Sequence, residues 1–225
     1  RREFIRNTAL TGVGVWVAGS STFAAEERSA NEKVQFACIG VSGKGGSDSS
    51  DAGKNGDVVA ICDIDERRLA GAAGRFKGAK KFFDYREMYE AMGDKIDAVT
   101  VSTPDHSHAV ASVSAMRMGK HCFTQKPLTK SIHEARVMGE VAREMKVMTQ
   151  MGNQGTAGSN LRKVAAQIQA GALGTVTEVH CWTNRPVWPQ GKERPTETPD
   201  VPAHVHWEEW LACAPYRPYH PGYHP

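Results

Sequence analysis

The chain has 225 residues, of which 40% are hydrophobic and 24% are charged, and its formal net charge is +3. This composition indicates a globular protein with enough length for one domain and part of a second. The charge is spread along the chain, and no basic stripe, aromatic RNA-binding motif or zinc-finger spacing is present, so nucleic acid is not an expected partner.

The first residues have the features of an export signal. Two arginines, Arg1 and Arg2, precede an uncharged and moderately apolar stretch, and small residues follow at Ala24 and Ala25. We predict a twin-arginine signal and linker over residues 1–30, and therefore a periplasmic protein; a short amphipathic N-terminal helix is the alternative. The stretch is too short and too mildly apolar for stable membrane insertion.

A glycine-rich turn between two apolar runs follows. The runs 34–39 and 58–62 predict strands, and Asp63 follows the second run about twenty residues after the first glycine, Gly40. This is the layout of a dinucleotide-binding βαβ unit, in which glycines allow the backbone to approach a pyrophosphate at a helix N-terminus. Asp63 is placed to bind ribose hydroxyls and to repel a 2′-phosphate, so NAD is the expected cofactor.

Two features of this unit leave alternatives open. Ser42 stands where the G-x-G-x-x-G fingerprint has its middle glycine, so an ordinary glycine-rich turn is the other interpretation. Lys44, Arg67 and Arg68 lie near enough in sequence to meet a 2′-phosphate, which keeps NADP open. The cofactor-binding residues expected from this unit are Gly40, Ser42, Gly43, Lys44, Gly45, Asp63 and Ile64.

The alternation of strand and helix continues to about residue 151. Predicted helices cover 44–55, 65–76 (with Asp65 as a possible N-cap), 85–92, 106–118 and 131–145, and further strands cover 80–83, 97–102, 121–124 and 147–151. The fold class is therefore α/β, with a doubly wound parallel sheet of the Rossmann type over residues 31–154.

The pattern changes after this domain. A helix over 159–170 is followed by a long alternating segment, 175–183, that predicts a strand of an antiparallel sheet. We expect residues 155–225 to begin a C-terminal α+β domain for substrate binding and oligomerisation, and the chain to be an N-terminal fragment of a longer protein. His204 and His206 lie close together, but no carboxylate has suitable spacing, so no metal site is expected.

Cysteines and aromatic residues are interpreted as packing groups. The five cysteines are odd in number and form no C-x-x-C motif, and three of them fall in predicted strands, so buried free thiols are expected. The tryptophans and tyrosines after residue 181 fit either a sugar-stacking surface or a packing and oligomer face, and packing is favoured.

Ligands of doubly wound sheets bind beyond the carboxyl ends of the strands. After the fourth strand, His106 and His108 could face the cofactor or the substrate, or be solvated residues of a first helical turn, and Asp105 could simply cap that helix. The residues expected at this edge are Ser102, Thr103, Pro104, His106, His108 and Gln125 at the cofactor, and Lys126, Asn153 and Gln154 at the substrate.

Lys126 is the candidate catalytic residue. It follows the fifth strand and precedes Pro127, which holds it more rigidly than a surface lysine. If Lys126 is buried beside a cationic nicotinamide, it can hydrogen-bond a substrate hydroxyl or take its proton. An ordinary surface lysine is the alternative.

Taken together, these segments resemble the glucose-fructose oxidoreductase / inositol dehydrogenase / MocA (Gfo/Idh/MocA) family, in an exported bacterial branch. The resemblance is carried by the sequences over 40–46, 62–65, 102–108, 125–128, 151–155 and 206–211. It implies a Rossmann domain, a nicotinamide cofactor, a contact of position 125 with the nicotinamide ribose, and a role for Lys126 in activating the substrate hydroxyl.

Two departures from the family accompany this resemblance. Gln125 stands where the family typically has glutamate, and it brings no charge. The resemblance also implies an Asp or His of the second domain as the main acid/base, and no residue of this chain matches it. The chain alone is therefore expected to be inactive.

We expect an NAD(P)-dependent oxidoreductase that transfers hydride between the nicotinamide and a hydroxyl carbon of a sugar, cyclitol or related polyol. A homo-oligomer formed through the C-terminal domain is also expected. One alternative is redox-neutral glycoside cleavage or epimerisation with tightly held NAD. The other is a non-catalytic protein that binds a nucleotide or a sugar.

Overall fold

The computed structural model of the chain describes residues 33–184, 191 and 193–223; the predicted signal over 1–30 and Trp188 lie outside these residues. Six strands form one parallel sheet in the order β3-β2-β1-β4-β5-β6. The strands are β1 Val34–Ile39, β2 Gly56–Cys62, β3 Lys80–Phe82, β4 Ala98–Val101, β5 His121–Gln125 and β6 Thr149–Gly152. The strand order reverses between β1 and β4, so a crevice opens at the carboxyl ends of these two strands.

Helices follow the strands as the sequence predicts. They are α1 Gly43–Asn55, α2 Glu66–Arg75, α3 Tyr85–Met92, α4 His108–Arg117, α5 Ile132–Glu144, α6 Gln154–Ala157, α7 Ser159–Gln169 and α8 Trp207–Leu211. The expected Rossmann-type sheet and its elements are thereby confirmed, with bounds that shift by a few residues. The helix predicted from 106 begins instead as a 3₁₀ turn over Asp105–Ser107.

Local side chains begin the helices at defined residues. The Asp65 carboxylate accepts the backbone N–H groups of Arg67 and Arg68, at 2.9 and 3.3 Å, and so caps α2 as expected. Ser131 and Glu134 form a reciprocal capping box at the start of α5. These caps fix where the chain turns from the carboxyl ends of the strands into the helices.

The sheet is buried on both faces by helices, which is why its central strands are apolar along almost their whole length. One apolar layer is centred on Met88, Val99 and Met116. The other layer, centred on Ile61 and Leu69, lies on the opposite face beneath α1 and α2. No helix in the described parts of the chain is long and apolar enough to cross a membrane.

The thiols divide into two groups. Cys38, Cys62 and Cys122 lie buried in strands as expected, and burial raises the pKa of Cys38 to about 11. Cys181 and Cys213 are free but exposed, so the prediction of burial is wrong for these two. Both lie outside the sheet, where neither apolar layer of the described residues covers them.

The segment after β6 differs from the expected strand. Helix α7 confirms the predicted helix over 159–170, but residues 175–184 have no regular secondary structure and exposed side chains. A strand requires a neighbouring strand to pair its backbone groups, and none of the six described strands pairs with this segment. The antiparallel sheet of a second domain therefore stays a prediction.

Residues 204–213, which we name the cover segment, return to the Rossmann domain. Val205 forms an isolated antiparallel bridge with Asp65, and the His206 N–H donates to the Ile64 carbonyl at 2.9 Å. Trp207 and Leu211 of α8 are buried with Tyr219, so packing is confirmed for these aromatic rings. Trp182 and Tyr216 are 87% and 76% exposed and pack on little of the described protein.

Candidate functional site

A cavity of about 610 Å³ lies at the carboxyl ends of β1, β2 and β4, in the crevice where the strand order reverses. Its volume is in the range of small-molecule and cofactor sites. Eight residues predicted at the cofactor line it: Gly40, Ser42 and Gly43 from the glycine turn, Asp63 and Ile64 after β2, and Ser102, Thr103 and Pro104 after β4.

The glycine turn has a shape that side chains at two positions would prevent. Gly40 has φ of +76°, and a Cβ there would lie 2.5 Å from the Ser102 carbonyl oxygen. A Cβ at Gly45 would overlap the Gly40 carbonyl oxygen. These two glycines bring the first turn of α1 against the ends of β1 and β4, as a dinucleotide-binding turn requires.

Ser42 occupies the middle position of the fingerprint without closing the cavity. It is the N-cap residue of α1, but its side chain makes no capping hydrogen bond. Its backbone carbonyl accepts the Gly46 N–H at 3.1 Å, which starts the helix. The helix therefore does not use the Ser42 hydroxyl as a cap. An anion such as a pyrophosphate would bind at this helix N-terminus.

Asp63 is held in one orientation by two backbone hydrogen bonds. Oδ2 accepts the Val41 N–H at 3.0 Å, and Oδ1 accepts the Asp65 N–H at 3.1 Å. Burial raises the pKa of Asp63, and these two N–H groups partly offset the effect because they favour the carboxylate. The side chain thus joins the glycine turn to the start of α2 at the wall of the cavity.

The three basic residues considered as partners of a 2′-phosphate, Lys44, Arg67 and Arg68, differ in their position relative to the cavity. Arg68 lines the cavity, and its Nε lies 3.5 Å from Oδ2 of Asp65. Lys44 forms an ion pair with Asp48 within α1, and Arg67 is exposed. Of these three, Arg68 alone borders the cavity, so NADP remains the alternative cofactor.

Asp48, a buried carboxylate that was not predicted from the sequence, forms hydrogen bonds with several of the predicted site residues. Asp48 of α1 is 5% exposed and accepts hydrogen bonds from Lys44, Ser102, Gln125 and Gln154. It lies eight positions after Gly40 and four after Lys44, in a run of Gly, Ser and Asp. The only signal was an acidic residue at i,i+4 from a lysine, which is common on exposed helices.

The two histidines after β4 contact backbone carbonyls of the protein. His108 is 1% exposed, and its Nδ1 and Nε2 each lie 2.7 Å from a carbonyl oxygen, of Pro127 and Thr103 respectively. Nε2 of His106 lies 2.7 Å from the Trp210 carbonyl oxygen. Neither ring lines the cavity. His108 is buried, unlike the solvated residue of the alternative interpretation, whereas His106 is half-buried. His108 instead joins the loops that follow β4 and β5.

Gln125 and Lys126 lie at the end of β5, and neither lines the cavity. Gln125 is 4% exposed, and its Oε1 accepts the Lys126 backbone N–H at 3.0 Å. The Lys126 side chain is exposed; its burial beside a nicotinamide stays a prediction. The residue lies beyond the last position of β5 and outside the layer that the flanking helices bury. Its ammonium makes no hydrogen bond or ion pair with the described residues.

The two predicted substrate residues after β6 lie at the same edge. Asn153 and Gln154 are exposed, and Nε2 of Gln154 donates to Oδ1 of Asp48 at 3.3 Å. The carboxyl ends of β4, β5 and β6 are thus linked through one side chain. Lys126 and Asn153 have exposed side chains at this edge, where a substrate could reach them.

The outer wall of the cavity comes from the cover segment, which sequence reasoning did not place at the site. Glu208, Glu209, Trp210, Ala212 and Cys213 line the cavity. Sγ of Cys213 donates to the His106 carbonyl oxygen at 3.2 Å, which fastens the end of the segment to the loop after β4. The sequence over 206–211 contributes to the family resemblance, but it does not show which part of the Rossmann domain this segment contacts.

Comparison with known proteins identifies a family whose members resemble residues 29–153 of this chain. The model of the oxidoreductase family with an NAD-binding Rossmann fold (GFO_IDH_MocA) matches these residues. Inositol 2-dehydrogenase of Rubrobacter xylanophilus is 26% identical over 159 residues, which are 69% of this chain and 45% of that protein. Glucose-6-phosphate 3-dehydrogenase of Bacillus subtilis is 28% identical over 119 residues, which are 51% of this chain and 33% of that protein.

Solved structures show the same fold. The scyllo-inositol dehydrogenase of Lactobacillus casei, solved with bound cofactor NAD(H) and scyllo-inositol, has a TM-score of 0.58 and 20% identity. The match covers 65% of this chain and 44% of that one. The chain spans about half the length of the curated relatives it matches, 45% for the inositol 2-dehydrogenase. With its glycine turn, its strand order and the match over 29–153, the chain belongs to the Gfo/Idh/MocA oxidoreductase family, which has an NAD-binding Rossmann fold.

Proposed function

We propose that the protein is an NAD-dependent oxidoreductase that transfers hydride between the nicotinamide and a hydroxyl carbon of a sugar, cyclitol or related polyol. The observation that carries this proposal is the cavity between the glycine turn and Asp63, at the point where the strand order reverses. Membership of an oxidoreductase family with an NAD-binding fold supports it.

The residues present fit a dinucleotide. Gly40 and Gly45 let the first turn of α1 lie against the ends of β1 and β4, so the N-terminus of α1, where a pyrophosphate would bind, borders the cavity. Asp63 offers a fixed carboxylate to the ribose hydroxyls of the adenosine half. The other half extends across the switch point toward Ser102 and Gln125. The nicotinamide supplies the hydride chemistry when bound.

On the substrate side, Lys126 is the proposed proton-handling residue of this chain. Its exposed side chain immediately precedes Pro127 and lies at the same sheet edge as Asn153. A lysine there orients a substrate hydroxyl by hydrogen bonding and stabilises the oxygen as its proton leaves. The main acid/base is proposed to belong to a C-terminal domain of the whole protein.

The proposed substrate class is inferred from the curated relatives described above. Two of them are named as dehydrogenases of inositol and of glucose 6-phosphate, both polyhydroxylated rings. This supports a cyclic polyol or sugar as the hydride donor. We further propose that NAD is preferred over NADP, because Asp63 stands at the ribose position, and that the whole protein is a homo-oligomer exported by the twin-arginine route.

One observation favours a second candidate, a redox-neutral reaction in which NAD is reduced and reoxidised in each turnover. The cover segment forms the outer wall of the cavity and is tied to both Ile64 and His106, which would slow exchange of the nucleotide. In that case, nucleotide would co-purify with the protein and return to its starting redox state after each turnover.

The test uses the full-length protein purified from its native export route. Nucleotide released by denaturation is identified by mass and absorbance, before and after incubation with a panel of inositols and sugars. Bound or added NAD⁺ that becomes reduced with one polyol supports the dehydrogenase. Net turnover of a glycoside or epimer without accumulation of NADH supports the redox-neutral candidate. Absence of any NAD(H) or NADP(H) affinity would contradict both.

A further inference from the structure

A second buried carboxylate lies on the opposite side of the switch point from Asp63. Asp48 is on α1, one turn beyond Gly45, and its side chain is 3% exposed. Its oxygens accept four donors: Oδ1 takes Lys44 Nζ and Gln154 Nε2, and Oδ2 takes Ser102 Oγ and Gln125 Nε2. A buried carboxylate is costly unless it is satisfied in this way.

The donors come from three different strand ends. Ser102 follows β4 and bonds at 2.7 Å, Gln125 ends β5 and bonds at 2.9 Å, and Gln154 follows β6 and bonds at 3.3 Å. These residues are 54, 77 and 106 positions away from Asp48 in sequence. One side chain of α1 therefore sets the relative positions of the loops at the carboxyl edge of half the sheet.

Asp48 also fixes which way the Gln125 amide is turned. A carboxylate accepts and does not donate, so it takes the NH₂ group of Gln125 and leaves Oε1 on the other side. Oε1 then accepts the Lys126 backbone N–H at 3.0 Å. Asp48, Gln125 and the Lys126 backbone thus form one chain of hydrogen bonds, in which Gln125 is buried between the other two.

The position of this chain relates it to one half of a dinucleotide. In a sheet of this order, the adenosine half lies at the end of β2, and the other half lies across the switch point, over β4 and β5. Ser102 lines the cavity and donates to Asp48, so the Asp48 network reaches the wall of the site on that second side.

We propose that Asp48 is a positioning residue for the nicotinamide half of the site, acting through Ser102 and Gln125, and through Gln125 on Lys126. The inference rests on the proposed function. Lys44 pairs with the carboxylate from the solvent side, with a side chain that is 48% exposed. Replacement of Asp48 would leave the glycine turn and Asp63 in place but release the orientation of Gln125.

The test compares two ligands on the full-length protein. NAD⁺ probes both halves of the site, and ADP probes only the adenosine and pyrophosphate part. In Asp48→Asn the new NH₂ group faces either Lys44 and Gln154, which are both donors, or Ser102 and Gln125. On the second side the Ser102 hydroxyl can reverse and accept, but the Gln125 NH₂ remains opposed to a donor, so hydrogen bonds are lost in either orientation. We expect the affinity for NAD⁺ to fall about tenfold and the affinity for ADP to change less than about twofold.

Three further variants extend this comparison. Asp51→Asn is the matched control, because Asp51 is on the same helix and pairs with Lys54 at the surface; both affinities should be unchanged. The double variant Asp48→Asn, Gln125→Glu restores a donor and an acceptor with reversed roles, and should recover much of the lost NAD⁺ affinity. If Asp48→Asn fails to fold, Gln125→Leu, which keeps Asp48 with its other three donors, should show the same selective loss.

The outcomes separate this inference from the function on which it rests. If the wild-type protein binds neither NAD⁺ nor ADP, the proposed function fails and the role of Asp48 with it. If the wild type binds both ligands, and the variants weaken them equally or leave NAD⁺ affinity unchanged, the positioning role of Asp48 is contradicted while the nucleotide site stands.

Discussion

The imidazole ring of His206 stacks on the ring of Phe83, with centroids 4.1 Å apart and an angle of 14° between the planes. Phe83 follows β3 and lines the cavity, and His206 belongs to the cover segment. This contact, together with the Val205 bridge to Asp65, places a segment from outside the matched region 29–153 at the wall of the cavity, the proposed nucleotide site. The cover segment is therefore a part of the site that the family match does not include.

Replacement of a cover-segment side chain should weaken nucleotide binding. Trp210 lines the cavity and stacks on Trp207 with ring centroids 4.6 Å apart. Trp210→Ala should reduce NAD⁺ affinity by about tenfold, mainly through faster dissociation, because a half-buried aromatic wall of the cavity is lost. Stopped-flow fluorescence of NADH release measures this. Trp182→Ala, at an 87% exposed tryptophan, is the control, and an equal effect there would contradict the prediction.

The glycine turn makes a prediction about stability. In Gly40→Ala the new Cβ would lie 2.5 Å from the Ser102 carbonyl oxygen at a φ of +76°, so the turn must distort. We expect the free energy of unfolding to fall by about 1–3 kcal/mol and NAD⁺ binding to be lost. Urea denaturation and calorimetric titration measure the two effects.

A glycine elsewhere supplies the matched control for Gly40. Gly71 lies on the exposed face of α2, and a Cβ there would meet nothing within 4 Å. Gly71→Ala should raise the free energy of unfolding by about 0.5–1 kcal/mol, because alanine is the better helix former. If both substitutions had the same effect, the close approach at Gly40 would not be the cause.

His108 should contribute stability through the loops after β4 and β5. Its ring contacts the carbonyl oxygens of Thr103 and Pro127, and the site is buried. His108→Ala leaves both carbonyls without this partner and opens a cavity, so we expect a loss of about 2–4 kcal/mol in the free energy of unfolding. The surface residue His133 on α5 is the comparison, and His133→Ala should change stability by less than about 0.5 kcal/mol.

The titration of Asp63 predicts a pH dependence of binding. Burial raises the pKa of Asp63, and only the carboxylate can accept from a ribose hydroxyl with both oxygens. NAD⁺ affinity should therefore fall as the pH is lowered through this raised pKa. Asp63→Asn should bind weakly and without this dependence.

The pH dependence of stability that is linked to Asp63 shows whether unfolding could cause the loss of NAD⁺ affinity in that experiment. A carboxyl group with a raised pKa in the folded state binds its proton more tightly when folded, so its protonation stabilises the fold as the pH falls. Loss of affinity in this range thus cannot come from unfolding linked to Asp63. A pH profile that is identical in the wild type and in Asp63→Asn would contradict the prediction.

Most of the Rossmann domain was predictable because hydrophobic periodicity marks each element locally. The strands ending at Ile39 and Cys62, and the helix capped by Asp65, follow from runs and caps that lie within a few residues. Helix α1 was weakly encoded, with four glycines in thirteen residues, and its packing on the sheet supplies what its intrinsic propensity lacks.

The site itself was only partly predictable, because several contacts join residues far apart in sequence. The glycine turn and Asp63 follow a known spacing, and the structure brings them together at the cavity. The role of Asp48 depends on donors up to 106 positions away, and the cover segment pairs with Asp65 from 140 positions further along at Val205. A single sequence carries no local sign of such pairings.

The most direct test of the central claim is a calorimetric titration of the full-length protein with NAD⁺ and NADP⁺, in the wild type and in Asp63→Ala. The control is Asp57→Ala, at an exposed aspartate of β2 that pairs with Lys33. We predict that the wild type and the control bind NAD⁺ more tightly than NADP⁺, and that Asp63→Ala loses at least tenfold in NAD⁺ affinity, about 1.4 kcal/mol. Equal NAD⁺ affinity in all three proteins would contradict the assignment of this cavity as the nucleotide site.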